Sequence, residues 1–164
     1  MFTKKHYNKW LKNKSNKRLN KKMIKEFPFL LPRNRWTDRI DMYYDYSYNE
    51  MWAMPDGWAI AFGYEMLCEL KNALIEADFL DKYRITQIKE KWGGLRWYDF
   101  GAPEKAFNII EKYEELSYET CIYCGEPATH RTYGYINYVC EKCFYEQELS
   151  GCLIEEGEED EEDK

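Results

Sequence analysis

The chain has no run approaching the roughly 18–20 consecutive apolar residues that a membrane-spanning helix needs. Its basic N-terminus is followed by no continuous apolar stretch with a small-residue cleavage site, so no secretory leader is expected. Histidine is scarce. His6 lies in a basic segment and His130 among cysteines, which makes a histidine general base backed by a distant acid hard to place. There is no G-x-S-x-G elbow, no H-E-x-x-H helix and no Walker loop, and Gly93-Gly94 lacks the Lys-Ser/Thr pair of a phosphate cradle. These gaps make catalysis the minority expectation and a soluble, cytoplasmic protein the leading one.

Charge of one sign is missing from each end. Residues 1–25 carry ten Lys or Arg and no carboxylate, whereas residues 155–163 hold eight carboxylates in nine positions. The formal charge of −6 hides this polarity, and the body between, residues 26–154, has 13 basic and 22 acidic side chains. Such a body is a poor general nucleic-acid binder, because phosphate binding draws on clustered Lys and Arg. Residues 1–26 read as a basic, weakly amphipathic helix or arm, with Tyr7, Trp10, Leu11, Leu19, Met23 and Ile24 near helical spacing but interrupted by Asn and Ser. A solvated or frayed face is the leading expectation for it. The alternative sets Lys12, Lys14, Lys17, Arg18, Lys21 and Lys22 against nucleic-acid phosphates or a lipid surface.

What is abundant is apolar and aromatic. Hydrophobic residues make up 45% of the 164, and fifteen are tyrosine, too much apolar surface for a chain that stays disordered. The length suits one α+β core over residues 27–118, a zinc-binding appendage over 119–151 and a disordered acidic tail over 152–164. The core reads as helix, β-hairpin, helix. Residues 27–36, with Pro28 and Pro32, are expected to be extended and to drape apolar side chains over it. Pro55-Asp56-Gly57 opens a helix whose apolar positions run from Ala59 to Ala77, with Cys68 as a small buried hydrophobe. Residues 83–100 form a hairpin turning at Gly93-Gly94, with Trp92, Leu95 and Trp97 packing across the strands and Lys89, Lys91 and Arg96 as a basic strip. Pro103 opens the last core helix, through Ala106, Ile110, Tyr113 and Leu116.

Residues 41–52 alternate acids with aromatics and contain no cation. Tyr43, Tyr44, Asp45, Tyr46, Tyr48 and Trp52 either offer rings and carboxylates to a protein partner or roof the core. A third reading uses Asp38, Asp41, Asp45 and Glu50 as the magnesium or acid/base cluster of a metal-dependent nuclease or other hydrolase.

The most specific signal is Cys121-x2-Cys124 followed, after fifteen residues, by Cys140-x2-Cys143. Two intervening residues let a tight turn aim both sulfurs at one ion, and the longer gap accommodates a hairpin that returns the second pair opposite the first. Gly125 fits the first turn, residues 129–133 and 135–139 the hairpin around Gly134, and residues 144–149 a helix. That order looks like a treble clef, with a zinc ribbon as the alternative. His130 or Cys152 could replace a ligand, but the all-cysteine set is the better match. Four thiolates around one Zn2+ leave no open position, so the ion is expected to be structural, worth on the order of 10–16 kcal/mol of folding free energy.

The segments PFLLPRNRW, MPDGW and YRITQIKEKWGGLRWYD, followed by the paired cysteines, resemble an uncharacterised family of small bacterial and phage zinc-binding proteins over about residues 27–145. The resemblance implies a phage or mobile-element setting, the cytoplasm of a bacterial host, and action by binding a host or defence complex. It assigns no catalytic or binding residue. The combined expectation is a non-enzymatic, zinc-stabilised protein-binding factor of open oligomeric state, with a nucleic-acid-binding accessory protein and a hydrolase as alternatives.

Overall fold

The computed structural model describes residues 1–155, so the acidic tail from residue 156 onward lies outside the described residues. The basic segment forms two helices, α1 (Lys4–Lys12) and α2 (Lys17–Glu26). The Thr3 hydroxyl accepts the His6 amide while the His6 ring accepts the Thr3 amide, and the Asn16 side chain caps α2 at the Leu19 amide. Tyr7, Trp10, Asn20 and Met23 are almost wholly buried. The expectation of a solvated arm is therefore corrected: only the lysine-bearing outer faces meet solvent, and the inner faces are core.

Asn20 explains why the stripe looked broken. Its side-chain oxygen accepts from the Trp10 indole and the Asn49 amide, both at 2.8 Å, and its amide donates to the carbonyls of Lys14 and Tyr46, both at 2.9 Å. A polar residue at a core position is stable when every polar atom is paired in this way. It also ties the helical pair to the loop that carries the tyrosines.

Pro28–Leu30 forms a 3-10 turn where extended chain was expected, with Pro28 at its first position, while Phe29 and Leu30 are buried in the core as expected. A second 3-10 turn, Glu50–Ala53, is capped by the Asn49 side chain. A continuous helical run follows: α3 (Asp56–Trp58), a π-helical turn (Ala59–Gly63) and α4 (Tyr64–Glu76). In the π turn the Tyr7 hydroxyl donates to the Ala59 carbonyl at 2.8 Å, and a Cβ on Gly63 would stand 2.2 Å from that hydroxyl. Gly63 thus leaves the space through which α1 locks onto the run.

The hairpin pairs β1 (Ile85–Lys91) with β2 (Gly94–Asp99), Ile88 opposite Trp97 and Lys91 opposite Gly94. Its turn is Trp92-Gly93, both at positive φ (56° and 82°), one residue earlier than expected. Gly94 instead opens β2 beneath the Tyr118 ring, where a Cβ would meet the ring at 2.4 Å. Leu95 and Trp97 are buried as expected, but Trp92 projects into solvent from the turn. Nor is there a continuous basic strip, because Arg96 folds inward onto the Tyr118 hydroxyl at 2.9 Å. Helix α5 (Glu104–Ser117) lies against β2 and α4, and Glu69 of α4 receives both Lys112 at 2.5 Å and the Tyr113 hydroxyl at 2.8 Å.

A second antiparallel sheet, in the order β4-β3-β5, joins β3 (His130–Thr132), β4 (Tyr138–Val139) and β5 (Gly151–Leu153). Between β4 and β5 lies α6 (Glu141–Glu146). The molecule is a mixed-helix protein with two small antiparallel sheets, as the α+β reading required. Cys152 and Leu153, assigned to the tail by composition, belong to this sheet, pairing with Arg131 and His130, and beyond them the Ile154 amide donates to the Thr129 carbonyl at 2.9 Å.

Candidate metal centre

The first cysteine pair sits on a tight backbone loop. The Gly125 amide returns to the Cys121 carbonyl at 3.0 Å, and Gly125 takes φ +83°, a conformation that glycine adopts without strain. Cys140 is the N-cap of α6, its sulfur accepting the Cys143 amide at 3.4 Å, so the second pair occupies the cap and first turn of a helix. That helix begins three residues earlier than expected, inside the C-x2-C. All four sulfurs lie within 4.8 Å of one another, and Cys124 and Cys140 are 3.5 Å apart.

A tetrahedral ion with bonds of about 2.3 Å to sulfur demands sulfur separations of about 3.8 Å, and the cluster is of that size. Cys121, Cys140 and Cys143 are buried and Cys124 is half-buried. Burial pushes the thiols of Cys124 and Cys143 up. Cys121 is buried too, yet the surrounding backbone amides hold it below its ordinary value. Several thiolates kept this close out of water require a cation to neutralise them. Among the described residues these four form the one such group that could hold a metal ion. His130 is not part of it: its ring stacks on Phe144 with centroids 4.4 Å apart and faces the Thr129 hydroxyl at 2.8 Å. Cys152 is exposed on β5 and also lies outside the group.

The centre is fused to the core. The Gly57 amide donates to the Ile122 carbonyl at 2.8 Å, and the Trp58 indole donates to the Thr120 carbonyl at 3.2 Å. A Cβ on Gly57 would lie 2.0 Å from the Cys121 carbonyl oxygen, and one on Gly125 would lie 2.7 Å from the Gly57 carbonyl oxygen. Two glycines thus bring α3 and the first cysteine loop into backbone contact. Turn chemistry at Pro55-Asp56-Gly57 marked a helix start, but no local signal showed that Gly57 is also a seat for the first cysteine loop.

The other candidate residues are placed as follows. Tyr44 and Tyr46 pack partly onto the core, with Lys21 over the Tyr46 ring at 5.5 Å, and Asp45 is paired with Lys17 at 2.5 Å. Tyr43 stands out at 84% exposure, beside Met42 at 86%, while Tyr48 and Trp52 are about half exposed. The six residues therefore divide between roofing the core and facing solvent. Of the basic residues, Lys14 pairs with Asp56 at 2.5 Å and Lys17 with Asp45, whereas Lys12, Arg18, Lys21 and Lys22 remain exposed. Arg18 and Lys22 line a cleft of about 310 Å³ with His6 and Lys9.

The carboxylates do not converge. Asp38 is held by Arg84 at 2.8 Å, whose guanidinium keeps its carboxyl below the usual range. Asp41 caps the Tyr43 amide at 2.7 Å and Asp45 serves Lys17. No helix among the described residues is long and apolar enough to cross a membrane. Comparison with known proteins adds no family: no family model, curated protein or solved structure matches the chain.

Proposed function

We propose that this protein is a non-enzymatic protein-binding factor whose C-terminal module is a treble clef closed by one structural Zn2+. The order of cysteine loop, β3-β4 hairpin and ligand-bearing helix supports the treble clef over the ribbon, because Cys140 and Cys143 lie at a helix start. Cysteine-only ligation favours zinc in a reduced protein. The ion would supply folding energy, and the chain's own residues would do the recognition.

The observation that carries the binding role is the loop between the two 3-10 turns together with the second turn. It exposes Trp36, Ile40, Met42, Tyr43, Tyr48 and Trp52 within seventeen residues, while Asn20 and Asn49 anchor its far end. Large aromatic and methionine side chains held outside a core favour a protein interface, where they are enriched. The resemblance to small phage-encoded proteins fits a host or defence complex as the partner. The test is affinity capture from the native host with the intact chain and with a Trp36→Ala/Tyr43→Ala variant. A stoichiometric protein retained by the first and lost by the second is expected; capture indifferent to both substitutions would overturn the reading.

A second reading rests on the cleft between α1 and α2. Lys9, Arg18 and Lys22 meet there with no carboxylate paired to them among the described residues, and Lys22 sits 3.4 Å from the His6 ring. Burial, Lys22 and Lys9 lower the His6 pKa, in that order. An anion would relieve that repulsion, so nucleic-acid phosphate is the alternative ligand. Its mark would be binding that weakens steeply with salt and fails in Arg18→Glu/Lys22→Glu.

A further inference from the structure

Glu50 opens the second 3-10 turn, and its neighbours build a site around it. With Tyr48, Trp52, Ser47, Asn49 and Ala53 it lines an open cavity of about 480 Å³. Two of these residues are aromatic and the floor is fixed. The Asn49 side chain is buried, donates to Asn20 and accepts the Met51 amide at 2.8 Å. Tyr48 is steadied by Tyr44, whose ring meets it edge-on with centroids 5.3 Å apart and whose hydroxyl donates to its carbonyl.

Among the described residues Glu50 has no ion-pair partner, and burial is the only influence acting on its carboxyl. Lys17 is paired with Asp45, Lys14 with Asp56, Lys21 lies over the Tyr46 ring, and Lys89 of β1, the strand packed against this turn, lies over the Tyr98 ring. Residues 41–52 contribute no cation. A half-buried carboxylate without a partner is costly to keep ionised, and burial alone pushes the Glu50 carboxyl up to about 7. A fold selected for stability alone would favour glutamine here, which makes the charge a candidate for recognition.

We infer that the Tyr48–Glu50–Trp52 cavity is a receptor for one arginine side chain of the partner protein. A guanidinium is flat enough to lie on an indole or phenol face and offers two parallel N–H groups to a carboxylate, so a single side chain uses both features of the pocket. The cavity is ample for its stem and head. This inference rests on the protein-binding reading and narrows it to a basic partner surface.

The probe is Nα-acetyl-arginine methylamide, titrated into the intact zinc-loaded protein while the Trp52 indole resonance is followed by NMR; the citrulline analogue, which has nearly the same shape without the charge, is the control. Saturable binding in the millimolar range is expected, at least tenfold weaker for the citrulline probe and for Glu50→Gln, whose fold is checked by its melting temperature. Equal shifts from both probes, or undiminished binding by a folded Glu50→Gln, would overturn the assignment. Failure here leaves the capture experiment with Trp36 and Tyr43 standing, whereas failure of that capture leaves arginine binding measurable, so the two outcomes are separable.

Discussion

The Gly57 amide donates to the Ile122 carbonyl at 2.8 Å, joining the first turn of the central helical run to the loop between the first two cysteines. Backbone meets backbone there, and neither side can yield by turning a side chain. The cysteine module and the core therefore share backbone and side-chain hydrogen bonds at this contact.

Gly57→Ala should therefore damage both. Its Cβ would fall 2.0 Å from the Cys121 carbonyl oxygen and 2.5 Å from the Ile122 carbonyl carbon, forcing the cysteine loop away from α3. Overpacking against rigid backbone lies at the upper end of the usual range, about 3 kcal/mol. For a chain of this size that is a fall of about 6–12 °C in melting temperature. Thermal unfolding and native mass spectrometry should show the fall together with reduced zinc content.

Metal removal tests the same coupling from the other side. The protein should carry one zinc per chain, and Cys143→Ser should lower occupancy and stability together. Structural zinc is worth roughly as much as a whole domain's net stability, so the metal-free module is expected to unfold. Because the Trp58 indole donates to Thr120 at the module's edge, core tryptophan emission should change as zinc is stripped. A metal-free chain that melts at the same temperature, with unchanged emission, would show that the cysteines do not hold the fold together.

The sequence made the regular elements legible wherever one signal dominated. The apolar positions of α4 and α5 repeat at three and four residues, and the cysteine spacing is matched by few other arrangements. What it hid were contacts made across the chain. The hairpin turn moves to Trp92-Gly93 because the Tyr118 ring claims the space over Gly94, a neighbour twenty-four residues away. Asn20 reads as a break in an amphipathic stripe until Trp10, Lys14, Tyr46 and Asn49 are seen to satisfy it. β5 carries too little apolar pattern to mark a strand, and its pairing to β3 supplies what its composition lacks.

Asn20→Ala measures how far that buried amide organises the aromatic loop. The substitution leaves the Trp10 indole, the Asn49 amide and two carbonyls without their partner, and each orphaned buried group costs about 1–3 kcal/mol. Partial rearrangement should hold the total near about 3 kcal/mol. The informative readout is local: hydrogen exchange at Met51, whose amide depends on Asn49, should accelerate more than exchange in α5. Uniform acceleration would mean that Asn20 serves global packing only.

Glu50→Gln should stabilise the protein, by a margin that grows as the pH rises from 4.5 to about 7. Burial raises the folded pKa to about 7 from an ordinary 4.5, so between those values the native state binds the proton more tightly than the unfolded chain. Stability from this group is then fully present below about 4.5 and is lost as pH rises through 7, where the charge must be kept half-buried. The full shift corresponds to about 3 kcal/mol, and partial solvent access reduces this to roughly 1–2 kcal/mol. Urea denaturation in zinc-saturated buffer should place the variant slightly above the parent at pH 5 and by that larger margin at pH 8. A gap independent of pH would show that Glu50 is not a strained carboxylate. A gap of the expected form, together with lost arginine binding, would mean that the protein keeps a destabilising charge because that charge is what its partner meets.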